Sequence, residues 1–479
     1  MSMPLDVTLL GAGTWNRAFL VRVHPTESSC TPPSNQLVMR LALPVLPGTK
    51  VLSEVATMRY VKDRTDIPVP RVYMYNASSN NQLGYEWILM EHMPGKPFEE
   101  VYSELEDDAK KLFARTMAEW MDSLSRLQFD AIGGLYMPHT GSDDCDTVVI
   151  SETDCLPDPV IGQIASQYYA CDWRPEYEFN RGPFGNIQDF LSSFAQAAYI
   201  EVHDPRQRAI SELHYLRKYI KRYDFESDPS NERAEKRLRE ETSEERDDRQ
   251  AQVAKNKARL EELLDEPFPM DQARDQTRGP QDDRTTTLRQ YEASAASLVL
   301  PTKYGPRYGF HRLEKHQSTA KKLITFIESS TPSDALPAKS SVFHHWDVSG
   351  HNVLVDSTGR PTALLDWEQL HTVPLALALP YYPKAFGNPA SISCKHCASE
   401  AGEMRESFDE RLSELKSPYL AIKDVKGKLD ERMETNPLAR FIYAMVETAF
   451  IHPCMVDRLE AMLLKSRNER EELVIRSKE

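Results

Sequence analysis

The sequence predicts an α+β protein of two lobes, a small antiparallel-sheet lobe over residues 1–93 and a mostly helical lobe over residues 94–479. Three observations lead there. Short apolar and β-branched runs broken by turn residues fill the first lobe, with one helical pattern among them. Helical periodicity dominates after Gly95. One later stretch, Val342 to Glu368, returns to strand, loop, strand, turn and strand, with polar side chains at the strand ends.

The small lobe begins with the strand-like run Val7–Leu10, the turn Gly11-Ala12-Gly13-Thr14-Trp15-Asn16, and a second extended run at Ala18–Val21. Glycines in such a turn let a backbone approach a ligand closely and aim N–H groups at an anion. Leu37–Leu41 is the next strand. Leu52–Val61 reads as a helix with Val55, Met58 and Val61 facing inward and Glu54 in its first turn. The prolines of Ile67-Pro68-Val69-Pro70 end that helix and hold the chain extended. Gly84–Gly95 is a strand running into a Pro-Gly break.

In the second lobe, Asp107-Asp108 open a helix that places Leu112, Phe113, Met117, Trp120, Leu124 and Leu127 on a core face. Ile187–Ile200 and Phe310–Glu328 read as further core helices, the latter burying Leu323, Ile324 and Ile327, and Leu438–Ile451 as a terminal one. Between about residues 224 and 287 charge dominates and aromatic residues nearly vanish. This predicts a charged helical or disordered insertion, a candidate arm for a protein partner.

The stretch from Val342 carries the chemistry. His345, Asp347 and Asn352 have the spacing H-x-D-x-x-x-x-N of a kinase catalytic loop. Asp366 closes the apolar run Ala363–Leu365. A carboxylate to orient a hydroxyl, and an amide and second carboxylate to hold Mg²⁺ through hard oxygens, are what phosphoryl transfer needs. Each residue alone reads more simply as a turn cap; the three in this order between apolar runs do not.

These residues, with S-E-V-A-T-M-R-Y-V from Ser53, I-P-V-P-R-V-Y from Ile67 and L-G-Y-E-W-I-L-M-E from Leu83, resemble the aminoglycoside phosphotransferase and choline kinase superfamily. The wording resembles a large fungal branch that includes the altered-inheritance-of-mitochondria proteins. The usual loop has glycine where this chain has Trp346. The resemblance implies a bilobal protein-kinase-like fold with ATP between the lobes. It implies Asp347 as catalytic residue and Asn352 and Asp366 as Mg²⁺ ligands. Gly11, Ala12, Gly13 and Thr14 would cover the phosphates, and Arg40 braced by Glu54 would contact them. Backbone groups near Glu91 and Met93 would meet the adenine. The expected reaction is transfer of the γ-phosphoryl group to a hydroxyl of a small molecule, because no segment ending in A-P-E marks a protein acceptor. The alternative is a kinase-like binding or scaffold protein with little or no turnover.

Other signals bound the answer. A net charge of −15 over 479 residues argues against a nucleic-acid or anionic-membrane partner, and no apolar run is long enough to span a membrane. The amino-terminal residues show no targeting pattern, so a cytoplasmic location is expected. Seven scattered cysteines argue against a disulfide framework, and Cys394-Lys395-His396-Cys397 lacks the partner motif of a zinc site. His344 and His345 are adjacent on a strand and point to opposite faces, so His345 is expected to brace the loop.

Overall fold

The computed structural model describes residues 5–13, 15–24, 35–138, 147–150, 158–170, 173–224, 241–268, 287–293, 310–330, 341–345, 347–375, 378, 382–387 and 395–420. Described residues within 1–170, 180–193 and 331–446 form one compact unit, and those within 171–179 and 194–330 belong to a second. Thr14, Trp346, Cys394 and the expected helix at Leu438–Ile451 lie outside the described residues.

The first unit opens with the hairpin β1 (Leu5–Ala12) and β2 (Asn16–Val23), followed by β3 (Gln36–Ala42), α1 (Thr49–Arg64), β4 (Val72–Asn76) and β5 (Glu86–Glu91). Then come β6 (Lys96–Pro97), α2 (Phe98–Val101), α3 (Asp107–Arg126), β7 (Gln128–Phe129), β8 (Gly134–Tyr136), β9 (Val148–Val149), β10 (Val160–Gly162) and α4 (Gln167–Ala170). The main sheet is antiparallel, in the order β1-β2-β3-β5-β4-β9. Helix α1 packs on it through Val51, Val55, Met58 and Val61, all buried. The hydrophobic effect thus fixes which face of α1 looks at the sheet, and with it the direction of Glu54.

The helical lobe is built around α3. Its buried stripe is Phe113, Met117, Trp120 and Leu124. Leu112, expected on this face, is 48% exposed. Phe113 takes the inward position, and a residue one step away on a helix is turned by about 100°. Three small sheets frame the site: β11 (Ser341–Phe343) between β14 (Thr372–Pro374) and β7; β12 (Val353–Val355) between β13 (Pro361–Leu364) and β6; and β8 with β10. Gly95, at φ +122°, lets the chain leave β5 against β12. A Cβ there would meet Thr362 Oγ1 and Val355 O, both at 2.7 Å. A last described helix, Lys395–Glu414, packs along α3.

The second unit takes the end of α5 (Ile187–His203) with α6 (Pro205–Tyr223), α7 (Ser243–Asp265), α8 (Leu288–Ala293) and α9 (Leu313–Ser330). Within the charged insertion, α7 starts on a capping box between Thr242 and Glu245. It buries Val253, Leu263 and Leu264, the last two in one core with Ile210, Leu213, Leu216, Phe268 and Tyr291. This part of the insertion is therefore a packed helix. Arg174 and Glu201 form a fully buried ion pair at 2.5 Å. Leu323 and Ile327 of α9 are buried as expected, whereas Ile324 is only partly so. No helix among the described residues is long and apolar enough to cross a membrane.

Candidate active site

Ten of the eleven residues singled out from the sequence line one cavity of about 990 Å³ in the first unit: Gly11, Ala12, Gly13, Arg40, Glu54, Glu91, Met93, Asp347, Asn352 and Asp366. The eleventh is Thr14.

The loop after β11 is shaped by its own polar groups. Asp347 N–H donates to His345 Nδ1 at 3.3 Å, so His345 does brace the loop. Burial lowers the pKa of the His345 imidazole to about 4, which keeps the ring neutral and Nδ1 an acceptor. Trp367, 1% exposed, stands edge-on to that ring with centroids 5.1 Å apart and donates Nε1–H to Leu364 O. Asn352 Nδ2 donates to both Asp347 O and Asp347 Oδ2, each at 3.0 Å. That orients the carboxylate and leaves the amide oxygen as the acceptor facing away from it. Gly350 allows close passage beside α2: its O accepts from Glu99 N, and a Cβ would lie 2.9 Å from Glu99 Cβ.

Across the cavity, Arg40 on β3 donates Nη1–H and Nη2–H to the two oxygens of Glu54, at 2.5 and 2.9 Å. This fork-on-carboxylate pair is nearly buried, with side-chain exposures of 11% and 1%. Arg40 also lies 3.0 Å from Glu368 Oε2 and 3.6 Å from Asp366 Oδ1. Burial works to lower its pKa, but the three carboxylates outweigh burial and raise it. Burial pushes Glu54 up to about 7 against the pull of Arg40. Burial, then repulsion from Glu368, pushes Asp366 up to about 6. Asp366 sits at φ +61°, a strained backbone for a side-chain-bearing residue. Asp347 goes the other way: burial works against ionisation, yet Lys384 first, then His345 and His351, hold its pKa below the usual range.

Three further charged neighbours of these residues were not read from the sequence. Glu368 Oε2 accepts from Asn16 Nδ2 at 2.9 Å and lies 3.0 Å from Lys50 Nζ. Lys50 also donates to Asn16 Oδ1 and Trp15 O, both at 2.9 Å. These contacts tie the turn between β1 and β2 to the segment after β13. Although burial works against it, Arg40 and Lys50 hold the Glu368 pKa below the ordinary range. Lys50 had one available signal. A lysine in the first turn of a helix opposes the helix dipole, and α1, which starts at Thr49 rather than at the expected Leu52 and so carries Glu54 beyond its first turn, has no acidic residue there to offset it. Lys384, 3.2 Å from Asp347 Oδ1, is the third.

Glu91 and Met93 also border the cavity, but the Glu91 N–H is already donated to Arg71 O, and its side chain accepts from Arg71 N–H. Among the described residues no cluster of three or more His, Cys, Asp or Glu is arranged to hold a metal ion.

A model of the phosphotransferase enzyme family matches residues 6–377. Over 180 residues the chain is 28% identical to a subtelomeric hrmA-associated cluster protein of Aspergillus fumigatus, covering 37% of this chain and 33% of that protein. Over 96 residues it is 33% identical to altered inheritance of mitochondria protein 9, mitochondrial, of Lachancea thermotolerans, covering 18% of this chain and 16% of that protein. The matches thus span a third or less of the length of these curated relatives. Among solved structures it is similar to a thermostable mutant of aminoglycoside phosphotransferase APH(4)-Ia in its apo form. The identity is 13% and the TM-score 0.33, over 97% of this chain and 96% of that one.

Proposed function

The chain belongs to the phosphotransferase enzyme family, and on that premise we propose that it moves the γ-phosphoryl group of ATP to a hydroxyl of a small molecule. The observation that carries this reading is Asp347. Its carboxylate is aimed by Asn352, held ionised beside Lys384, and opens onto the cavity that also holds the Arg40–Glu54 pair and Asp366.

Asp347 would accept a hydrogen bond from the acceptor hydroxyl and turn its oxygen toward the phosphorus. Its depressed pKa suits orientation and late proton acceptance better than early abstraction. Glu54 would hold Arg40 in place beside the phosphates, and Gly11–Gly13, the end of β1 and the start of the turn, would lie over them, with the Gly13 N–H already donated to Asn16 O. The Asn352 amide oxygen and the Asp366 carboxylate are hard oxygen donors that line the same cavity. This fits Mg²⁺, which keeps water and substrate phosphates as its other ligands and supplies charge neutralisation there. Glu368 touches no substrate in this reading. It positions the Gly11–Gly13 turn through Asn16 and Lys50.

The test is Mg²⁺-dependent ADP release against a panel of hydroxylated small molecules, with Asp347→Asn as control. The reading requires that some acceptor raise ADP release in the wild type and that the mutant lose at least about 100-fold of it. A wild type that binds Mg·ATP but never exceeds the mutant would turn the reading to a nucleotide-binding protein without transfer.

A further inference from the structure

Resting on the phosphotransferase reading, we propose that Lys384 is a catalytic residue whose ammonium contacts the γ-phosphoryl group as that group passes to the acceptor hydroxyl. It lies beyond the H-x-D-x-x-x-x-N loop and the D-W-E segment, in a stretch with no motif of its own.

Its place is built by packing. Ala385 N–H donates to Val348 O at 3.2 Å, so the short turn Lys384–Phe386 is tied to the loop that carries Asp347. Phe386, 2% exposed, is set edge-on against Phe113 of α3 and Phe408 of the last described helix. Gly387, at φ +66°, turns the chain away, and its O accepts from Arg405 Nη2. Lys384 thus stands beside two anchored residues, with Nζ 3.2 Å from Asp347 Oδ1. A surface lysine chosen by chance would have none of these restraints, and an isolated exposed ion pair would be worth little.

The direction follows from Asp347. Its Oδ2 is held by Asn352, so an acceptor hydroxyl is left to approach Oδ1, the oxygen beside Lys384. In a reactive pose the attacked phosphorus lies about 3 to 3.5 Å from that hydroxyl. The equatorial oxygens then fall within reach of an ammonium on a flexible stem that is 46% exposed. Such a cation would add to the charge that Arg40 and Mg²⁺ bring to the phosphates in the proposed reaction. Arg40 already faces Glu54, Glu368 and Asp366, and Lys50 is buried against Glu368, Asn16 and Trp15. In the step itself the hydroxyl oxygen forms a bond to the γ-phosphorus. The bond to the β–γ bridging oxygen breaks with its electron pair left on ADP, and the hydroxyl proton goes to Asp347. Lys384 exchanges no proton. It offsets charge on the group in flight.

The test uses the full chain and an ATP acyl phosphate, which carries a reactive carbonyl on its γ-phosphate. A lysine amine at that position attacks the carbonyl; the N–C bond forms, the C–O bond to phosphate breaks, ATP leaves and a proton goes to solvent. Peptide mass spectrometry is expected to place the acyl group on Lys384, with labelling suppressed by excess Mg·ATP. Lys384→Met is expected to weaken Mg·AMP-PNP about tenfold while leaving Mg·ADP unchanged, and Lys384→Arg to restore most of the loss. An unlabelled Lys384, labelling indifferent to Mg·ATP, or equal losses for both nucleotides overturns the inference. A wild type that binds neither nucleotide overturns the phosphotransferase reading itself.

Discussion

Replacing Arg40 with methionine separates what the Arg40–Glu54 pair does for the fold from what it does for a ligand. The change keeps most of the side-chain volume and removes the guanidinium. Glu54, 1% exposed, then faces Asp366 and Glu368 without its guanidinium partner and with Lys50 as a weaker pull, while Glu368 keeps Lys50 at 3.0 Å and Asn16 at 2.9 Å. Removing one partner of a buried ion pair costs about 3 to 5 kcal/mol when the other stays charged. Glu54 has a way out, because its pKa is already up to about 7 and rises further once Arg40 is gone. The unfolded carboxyl titrates near 4.5. The folded wild type holds this proton up to about pH 7 and the folded mutant to a higher pH, so the mutant's destabilisation relative to wild type grows with pH only above about 7. Urea midpoints should show a loss of about 1 kcal/mol at pH 5, from packing alone, and about 2 to 2.5 kcal/mol at pH 8, the added part being at most about 1.4 kcal/mol for the one pH unit above the wild-type Glu54 pKa. The double variant Arg40→Met/Glu54→Gln should recover most of the loss at pH 8. A loss that is equal at both pH values, or that survives the Glu54→Gln change, would refute the account of Glu54 as the stranded charge.

Two further outcomes follow from the same geometry. A Cβ at Gly11 meets nothing within 4 Å and the residue has no positive φ, so Gly11→Val should leave the urea midpoint within about 0.5 kcal/mol of wild type. If the turn covers a phosphate, the same variant should weaken Mg·ATP about tenfold by calorimetry; unchanged affinity would remove that turn from the nucleotide site. Glu86 accepts from Gly48 N–H at 2.6 Å, and burial pushes its pKa up to about 7, against that bond and Lys50. The folded state keeps this proton between about pH 4.5 and 7 while the unfolded state loses it. Stability falls with rising pH across that window, by at most about 1.4 kcal/mol per unit, and levels off above it. Glu86→Gln should therefore match wild type near pH 4.5 and exceed it at pH 8.

What the sequence made legible was local. Strands β1, β2, β3, β5, β12 and β13 follow from short runs with turn residues between them, and the inward face of α1 from spacings of three and four. Asp347 bonds back to His345 and Asn352 to Asp347, so the spacing of these three announces part of their geometry. The order of Arg40 and Glu54 also sufficed, because β3 and α1 are consecutive and pack on one another's neighbours. Where the reading slipped, two signals competed. Leu112 is as apolar as its neighbours, and only the phase set by Phe113 excludes it from the core. In the insertion, abundant charge concealed the spacing of Val253, Leu260, Leu263 and Leu264, which is a helix face once α6 supplies a partner for it.

The parts of the site that were not legible share one physical property: their meaning is conferred by residues far away in the chain. Asn16 and Glu368 are 352 positions apart, and nothing near either one announces a bond to the other. Lys50 reads as a surface lysine until Glu368 and Asn16 close over it and leave the side chain 2% exposed. Burying an ammonium is costly unless it is fully paired, so the three contacts of Lys50 are the condition of its being there at all. The same reasoning bears on Arg40. A guanidinium against three carboxylates is a satisfied group, and under the proposed function a triphosphate would have to compete with Glu368 and Asp366 for it. Asp366, with its pKa already up to about 6, gives way most readily, because a bound cation or a proton compensates it. Of the two carboxylates that share Arg40 with Glu54, the one that the sequence marks as a metal ligand is thus the one whose charge the protein alone leaves less balanced.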